Sequence, residues 1–231
     1  MLAQRPERIA VSTRSQSMKT ITIDSPHRRK HFDFFRQMNH PHFSVCAQLD
    51  LTPWFDETRR RGLRMTASLV YLLARAANEV PQFRQRIRGQ QIVEHERVHP
   101  SFAVPTEGCD VFSFCEVPYQ PRLRSFVARA EAQMEAMRTA PSFEDQAGRD
   151  DYLFMSAFPW VSFTAVTHPM SYHPHDCVPR ITWGKIVAQA GRRMMPLSVQ
   201  AHHALVDGVH MGRYFEAVEA LVQGAAAVIV R

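Results

Sequence analysis

Met195-Pro-Leu-Ser-Val-Gln-Ala-His-His-Ala-Leu-Val-Asp-Gly-Val-His210 is the stretch from which the rest of the chain can be read. Pro196 to Ala201 alternates Leu197 and Val199 with Ser198 and Gln200, the pattern of a buried strand. His202 and His203 follow at its end, and Asp207-Gly208 comes four residues later. Val209, Met211, Tyr214, Phe215, Val218 and Leu221 then recur at helical spacing. The stretch predicts a strand, a turn carrying chemistry, and a helix.

The residue types suit proton transfer. Neutral imidazole is the common side-chain base whose ordinary pKa lies near working pH. Asp207 can tether a cation or a backbone donor, and Gly208 is expected to let the chain turn where a side chain would clash. A lone buried histidine is most often a satisfied core residue. A histidine pair at a strand end with an acid and a glycine at this spacing is hard to justify by packing.

The bulk properties frame this. A chain of 231 residues, 45% hydrophobic, can bury a sizeable core as one large domain. Net charge is +6 and the isoelectric point about 9.5, which favours anionic partners. No helix-turn-helix, zinc-finger or aromatic RNA-binding signature accompanies that charge, so no nucleic-acid partner is expected. Cys46, Cys109, Cys115 and Cys177 have neither zinc nor Cys-x-x-Cys spacing, and Cys46, in an apolar strand run, reads as a reduced core thiol. No secretory signal or long apolar span is present, so a cytoplasmic protein with no membrane partner is expected.

Residues 1–17, rich in Arg and Ser and poor in apolar residues, read as a disordered leader, with Met18 a second candidate start. A domain over 18–223 and an Ala/Val tail over 224–231 of unclear role, open to fraying, follow. Ile21 and Ile23 alternate with threonines as a short strand. Ser25-Pro26 caps a helix starting near His27, with Arg28 and Arg29 unfavourably placed in its first turn. Strands are expected over Phe43–Leu51, Gln91–Glu94, Ser101–Val104, Phe112–Val117 and Ile181–Val187. Helices are expected over Phe55–Gly62, Thr66–Val80 and Arg122–Met137. Arg84–Arg88 reads as part of a turn, Thr139–Asp151 as a polar loop, and Gly191–Arg193 as a hairpin turn.

A second chemical stretch is Phe154-Met-Ser-Ala-Phe-Pro-Trp-Val-Ser-Phe-Thr164, strand-like and broken at Pro159. The loop 165–180 holds His168, His173, His175 and Asp176. His173 and His175 flank Pro174 without helical i,i+4 spacing and read as solvated, so no metal is expected. Strands interleaved with amphipathic helices give an α/β two-layer sandwich.

These motifs together resemble the chloramphenicol O-acetyltransferases. That family is a bacterial branch of the HHxxxDG acyltransferases, which also include the dihydrolipoamide acyltransferase cores. The resemblance runs through His31-Phe32, Ser44–Thr52, Pro81–Arg84, Val98–Pro100, Ser156–Thr164 and Met195–Arg213, and covers about residues 19 to 223. It implies a mixed β-sheet with helices packed on one face and a homotrimer with active sites between subunits. It implies acetyl-CoA as co-substrate, a small-molecule acceptor and no metal. His203 becomes the general base and Ser156 the donor to the tetrahedral oxyanion, at a separation from His203 that agrees with the family's. Arg28 is implied to pair with Asp207, Thr182 to organise a site water, and His202 and Gly208 to be structural. The acceptor pocket would take Phe35, Phe43 and Phe102.

The resemblance has departures. Asn39 and Pro41 stand where the family carries apolar or small residues, and Val166, His168 and Arg180 replace larger aromatic or aliphatic ones. The lining is therefore more polar or differently shaped. Chloramphenicol, and with it antibiotic resistance, is the leading acceptor expected. The alternatives are the same chemistry on another hydroxyl or amine, and a non-catalytic binding or assembly module. A dihydrolipoamide acyltransferase core is a weaker variant, because no lipoyl segment precedes the domain.

Overall fold

The computed structural model describes residues 17–143, 148–171 and 176–230. The leader and the His173/His175 pair lie outside them, save Ser17 of the leader. Strand β1 (Met18–Ile21) ends two residues short of Ile23. Helix α1 (Pro26–Arg36) starts where Ser25-Pro26 predicts, with Ser25 Oγ accepting the Arg28 amide at 3.3 Å. Next come β2 (His42–Asp50), α2 (Thr52–Arg60) and α3 (Met65–Glu79), then a 3-10 turn over Pro81–Arg84. Strands β3 (Gln85–Arg88), β4 (Gln91–His95), β5 (His99–Pro105) and β6 (Phe112–Glu116) lead to α4 (Leu123–Thr139). The chain closes with β7 (Tyr152–Phe158), β8 (Arg180–Gly184), β9 (Val187–Gln189), β10 (Arg192–His202), α5 (Gly208–Gln223) and α6 (Ala225–Val230).

Two expectations are corrected. The arginine-rich stretch read as a turn contains β3, which pairs antiparallel with β4 across Gly89, whose φ of 59° suits a residue without a Cβ. Its charge hid it, because Arg86 is fully buried. The Arg86 guanidinium donates to the carbonyls of Phe83 (3.0 Å), Gln85, Asp150 and Tyr152 (2.6 Å each). The Ala/Val tail is not frayed over 225–230. It is α6, whose Ala225 and Ile229 are buried in the core cluster, with α2 as a neighbour.

The main sheet runs β2-β10-β8-β7-β5-β6, with β9 paired to the start of β10, and a three-stranded sheet runs β1-β4-β3. In the main sheet β7 is parallel to both β5 and β8, and the other pairings are antiparallel, so the sheet is mixed. Strand β10 is central. Its Met195, Leu197, Val199 and Ala201 belong to the core under the helices. Helix α3 is buried almost throughout, including Leu69, Val70, Leu72 and Leu73. Each such side chain contributes about 1.5–3 kcal/mol.

Alternation sends Ser198, Gln200 and His202 to the opposite face, yet all three are buried. Residues beyond β7 cover part of that face. The Lys185 amide donates to the Val161 carbonyl at 2.9 Å. A Cβ on Gly184 would lie 2.7 Å from the same oxygen and 2.6 Å from Pro196, so only glycine admits this crossing.

Candidate active site

His203 follows β10 directly, and its amide donates to the Pro41 carbonyl at 2.8 Å beyond the end of the β2–β10 ladder. The turn then closes on His202, whose carbonyl accepts from the amides of Leu205 and Val206 at 3.0 Å each. Asp207 caps α5. Its Oδ1 accepts the Gly208 amide at 2.7 Å, while His210 Nδ1 accepts the Asp207 amide at 3.0 Å, which completes a capping box.

The His203 ring packs between aromatic walls. Phe35 stacks on it at 3.9 Å and 24°, Phe43 lies at 4.5 Å, and His31 meets it edge-on at 5.4 Å. His203 Nδ1 lies 3.1 Å from the Val206 carbonyl oxygen. A carbonyl can only accept, so Nδ1 carries a proton, and in the neutral ring the lone pair is on Nε2. The side chain is 26% exposed. The turn itself thus holds the ring in one orientation.

Arg28 enters from α1. One guanidinium nitrogen donates to the Leu205 carbonyl and the other to His31 Nδ1, each at 2.7 Å. The expected direct pairing with Asp207 is not formed: His31 stands between them, with Nε2 3.9 Å from Asp207 Oδ2. Arg28 feels Asp207 only through its field. Burial lowers the Arg28 pKa and the carboxylate charge pulls it back up. His31 is lowered by burial and then by Arg28. Asp207 is held below the ordinary carboxylate range chiefly by the Gly208 amide. His210 is pushed down to about 4 by burial, with Arg28 and Arg213 adding to it.

His31, His203 and Asp207 sit close enough to suggest a metal site. The hydrogen bonds oppose it. Arg28 on Nδ1 leaves the His31 proton on Nε2, and Val206 holds the His203 proton on Nδ1. Both nitrogens that face the carboxylate therefore present N–H groups rather than lone pairs.

Ser156 lies elsewhere. It is half-buried on β7, opposite Thr182 of β8, which is opposite Ser198 of β10, so three hydroxyl residues form a row across the sheet. Ser198 precedes His203 by five residues, and β7 is two strands away. At 3.3 Å per residue and 4.8 Å per strand, Ser156 and His203 of one chain are about 15–20 Å apart. His168 Nε2 bonds Thr182 Oγ1 at 2.9 Å, and burial, then Arg180, lowers its pKa.

A family model described as chloramphenicol acetyltransferase matches residues 16–219. The chain belongs to the chloramphenicol acetyltransferase family. Chloramphenicol acetyltransferases of Klebsiella sp and Escherichia coli are each 28% identical over 194 residues, 84% of this chain and 89% of theirs. Chloramphenicol acetyltransferase 3 of Escherichia coli is 28% identical over 195 residues, 84% of this chain and 92% of its own. Two solved structures share the fold. A chloramphenicol acetyltransferase has a TM-score of 0.79 at 22% identity, covering 89% of this chain and 100% of that one. The dihydrolipoamide acetyltransferase of Azotobacter vinelandii has a TM-score of 0.62 at 21% identity, covering 87% and 88%. Membership makes this protein an acyltransferase, with acetyl transfer as the reaction at family level. No described helix is long and apolar enough to cross a membrane.

The residues expected at a family site fall into separate groups. Phe35 and Phe43 are at the His203 ring. Thr182 and His168 are beside Ser156, and Val166 is half-buried in the same loop. Phe102 is 1% exposed in the core, opposite Met155 of β7, and forms no wall of the His203 site. His202 is 1% exposed, its Nδ1 accepts the Ala204 amide at 3.2 Å, and its ring meets His42 at 5.0 Å. Gly208 opens α5 without a left-handed φ, and a Cβ there would meet nothing, so the turn itself does not require glycine. His31 and His210 were not among the expected site residues. The i,i+3 spacing of Arg28 and His31 on one helix was the available signal for the first.

Proposed function

We propose that this protein is an acetyl-CoA-dependent O-acetyltransferase in which His203 is the general base, with chloramphenicol the leading acceptor. The observation that carries this reading is the His203 Nδ1–H bond to Val206, which leaves Nε2 as a lone pair. Nε2 takes the proton of the acceptor hydroxyl as that oxygen attacks the thioester carbonyl. The Ser156 hydroxyl donates to the oxyanion that forms. As the intermediate collapses, the C–S bond breaks and the imidazolium returns its proton to the departing CoA thiolate. No covalent enzyme intermediate is needed. General-base help supplies about 10²–10⁴-fold and one oxyanion donor about 10²–10³-fold. A net charge of +6 suits the phosphates of coenzyme A.

Within one chain, Ser156 and His203 are too far apart for both to reach one reacting centre, since each must come within about 3 Å of its target. This supports an active site formed between copies, His203 of one facing Ser156, Thr182 and His168 of the next, in a homotrimer. A second reading keeps the chemistry and changes the acceptor. His168 on Thr182 favours it, because a half-buried polar ring lets a site reject acceptors that leave it unpaired.

The test is CoA-thiol release from acetyl-CoA by purified protein, with and without chloramphenicol, beside His203→Ala. Chloramphenicol-dependent release that disappears in the variant supports the first reading. His203-dependent release without chloramphenicol dependence selects the second. No release and no CoA binding overturns both readings.

A further inference from the structure

His31 lies three residues after Arg28 on α1, and its Nδ1 is 2.7 Å from the Arg28 guanidinium. A guanidinium only donates, so Nδ1 must accept, and the single proton of the neutral ring is on Nε2. That Nε2–H is buried and has no hydrogen-bond partner. A buried donor left unmade is costly and calls for a reason, of which a catalytic role is one. Asp207 Oδ2 is 3.9 Å from it, and Asp207 Oδ1 is 4.0 Å from His203 Nδ1. The carboxylate thus stands between two imidazole N–H groups at nearly equal distance. The charged and titratable groups facing His31 are Arg28 and His27 from its own helix and Asp207 and His203 from the turn. A proton placed on Nδ1 would oppose Arg28, so that contact fixes the tautomer.

We infer that His31 is a positioning residue for the general base, its Nε2–H restraining the Asp207 carboxylate beside His203 as His203 takes up its proton. This rests on the acyl-transfer reading of His203. The Asp207 side chain is 49% exposed, so Oδ2 has solvent to turn towards if nothing opposes it. Catalytic hydrogen bonds that are long in a free enzyme commonly close in the reacting complex. The 3.9 Å gap closes when His203 becomes positive and the carboxylate is needed in place.

Three substitutions separate the two ring nitrogens. His31→Phe keeps the aromatic packing and loses both. His31→Gln places an amide N–H near the Nε2 position, and His31→Asn places an oxygen near Nδ1 facing Arg28. Two readouts apply: NMR titration of the His203 ring, which needs no acceptor, and turnover of acetyl-CoA with chloramphenicol. In His31→Phe and His31→Asn the His203 titration midpoint falls below that of the wild type, from loss of a carboxylate held at this distance. kcat falls about 5- to 10-fold with KM nearly constant. His31→Gln retains both. A wild-type midpoint in all three variants overturns the inference, as does rescue by His31→Asn and not by His31→Gln, which would make His31 only a holder of Arg28. His203→Ala runs alongside. If that variant keeps full turnover, the base reading has failed. If it is inactive while His31→Phe titrates as wild type, only the role of His31 has failed.

Discussion

Replacing Asp207 with asparagine removes a charge and leaves a cap. Asparagine caps helices as well as aspartate, so the Gly208 amide keeps an acceptor and α5 keeps its start. What is lost is a negative charge 4.0 Å from His203 Nδ1. Two unit charges at that distance interact by about 1 kcal/mol in water and about 4 kcal/mol at an effective dielectric of 20. Asp207 is 49% exposed, so solvent screening places the pair near the lower bound, about 1–2 kcal/mol. That energy acts only when His203 is cationic. The expected result is kcat lowered about 5- to 30-fold with KM for acetyl-CoA little changed. Stability should fall by less than about 1 kcal/mol, the interaction of a carboxylate with a helix N-terminus. The assays are CoA-thiol release at saturating substrate and urea unfolding of the same preparation. An unchanged kcat would refute the reasoning, because the carboxylate would then give His203 nothing. A fall in kcat matched by a loss of several kcal/mol in stability would refute it differently, by showing that Asp207 acts through the cap.

Arg86→Met should destabilise by about 3–5 kcal/mol, because four carbonyls, three of them in buried bonds, lose their donor, and a destabilisation below about 1 kcal/mol in urea unfolding would contradict that. Asp150 should give the fold an acid limb. Burial raises its pKa, but hydrogen bonds from His95 and Arg88 outweigh this and hold it well below the carboxylate range. A group lowered on folding stabilises fully above its unfolded value, about 4, and that contribution drains as pH falls towards the folded value. Unfolding free energy should therefore decline below about pH 4, and Asp150→Asn should flatten the decline.

The sequence made the order of elements legible where pattern and punctuation agree. Ser25-Pro26 marked α1, the alternation of Leu197 and Val199 marked β10, and Pro159 marked the end of β7. Strand β3 was not legible, because Gln85–Arg88 reads as a charged surface until Tyr152 and Asp150 arrive to accept from Arg86. Helix α6 was lost to the same cause in reverse: an Ala/Val run has no polar face to show a period, and its neighbour α2 is distant in the chain. At the candidate site, the motif marked the turn between β10 and α5 that carries His203 and Asp207. It could not say that Arg28 bonds Leu205 and His31, since that depends on the angle at which α1 meets the turn. Nor could it place Phe102 in the core, which is a matter of which face of β5 the alternation assigns.

Arg86 also bears on how the molecule assembles. Its guanidinium is anchored on β3 of the small sheet, yet two of its four carbonyls belong to Asp150 and Tyr152 at the entry to β7 of the large one. The charge is dehydrated only when both partners are in place. A chain with one sheet formed and the other undone would leave the guanidinium without half of its carbonyl partners and β3 without the surface that covers it, an unfavourable intermediate. The two sheets are therefore tied into one cooperative unit, and amides of the small sheet should open to solvent only with those of β7.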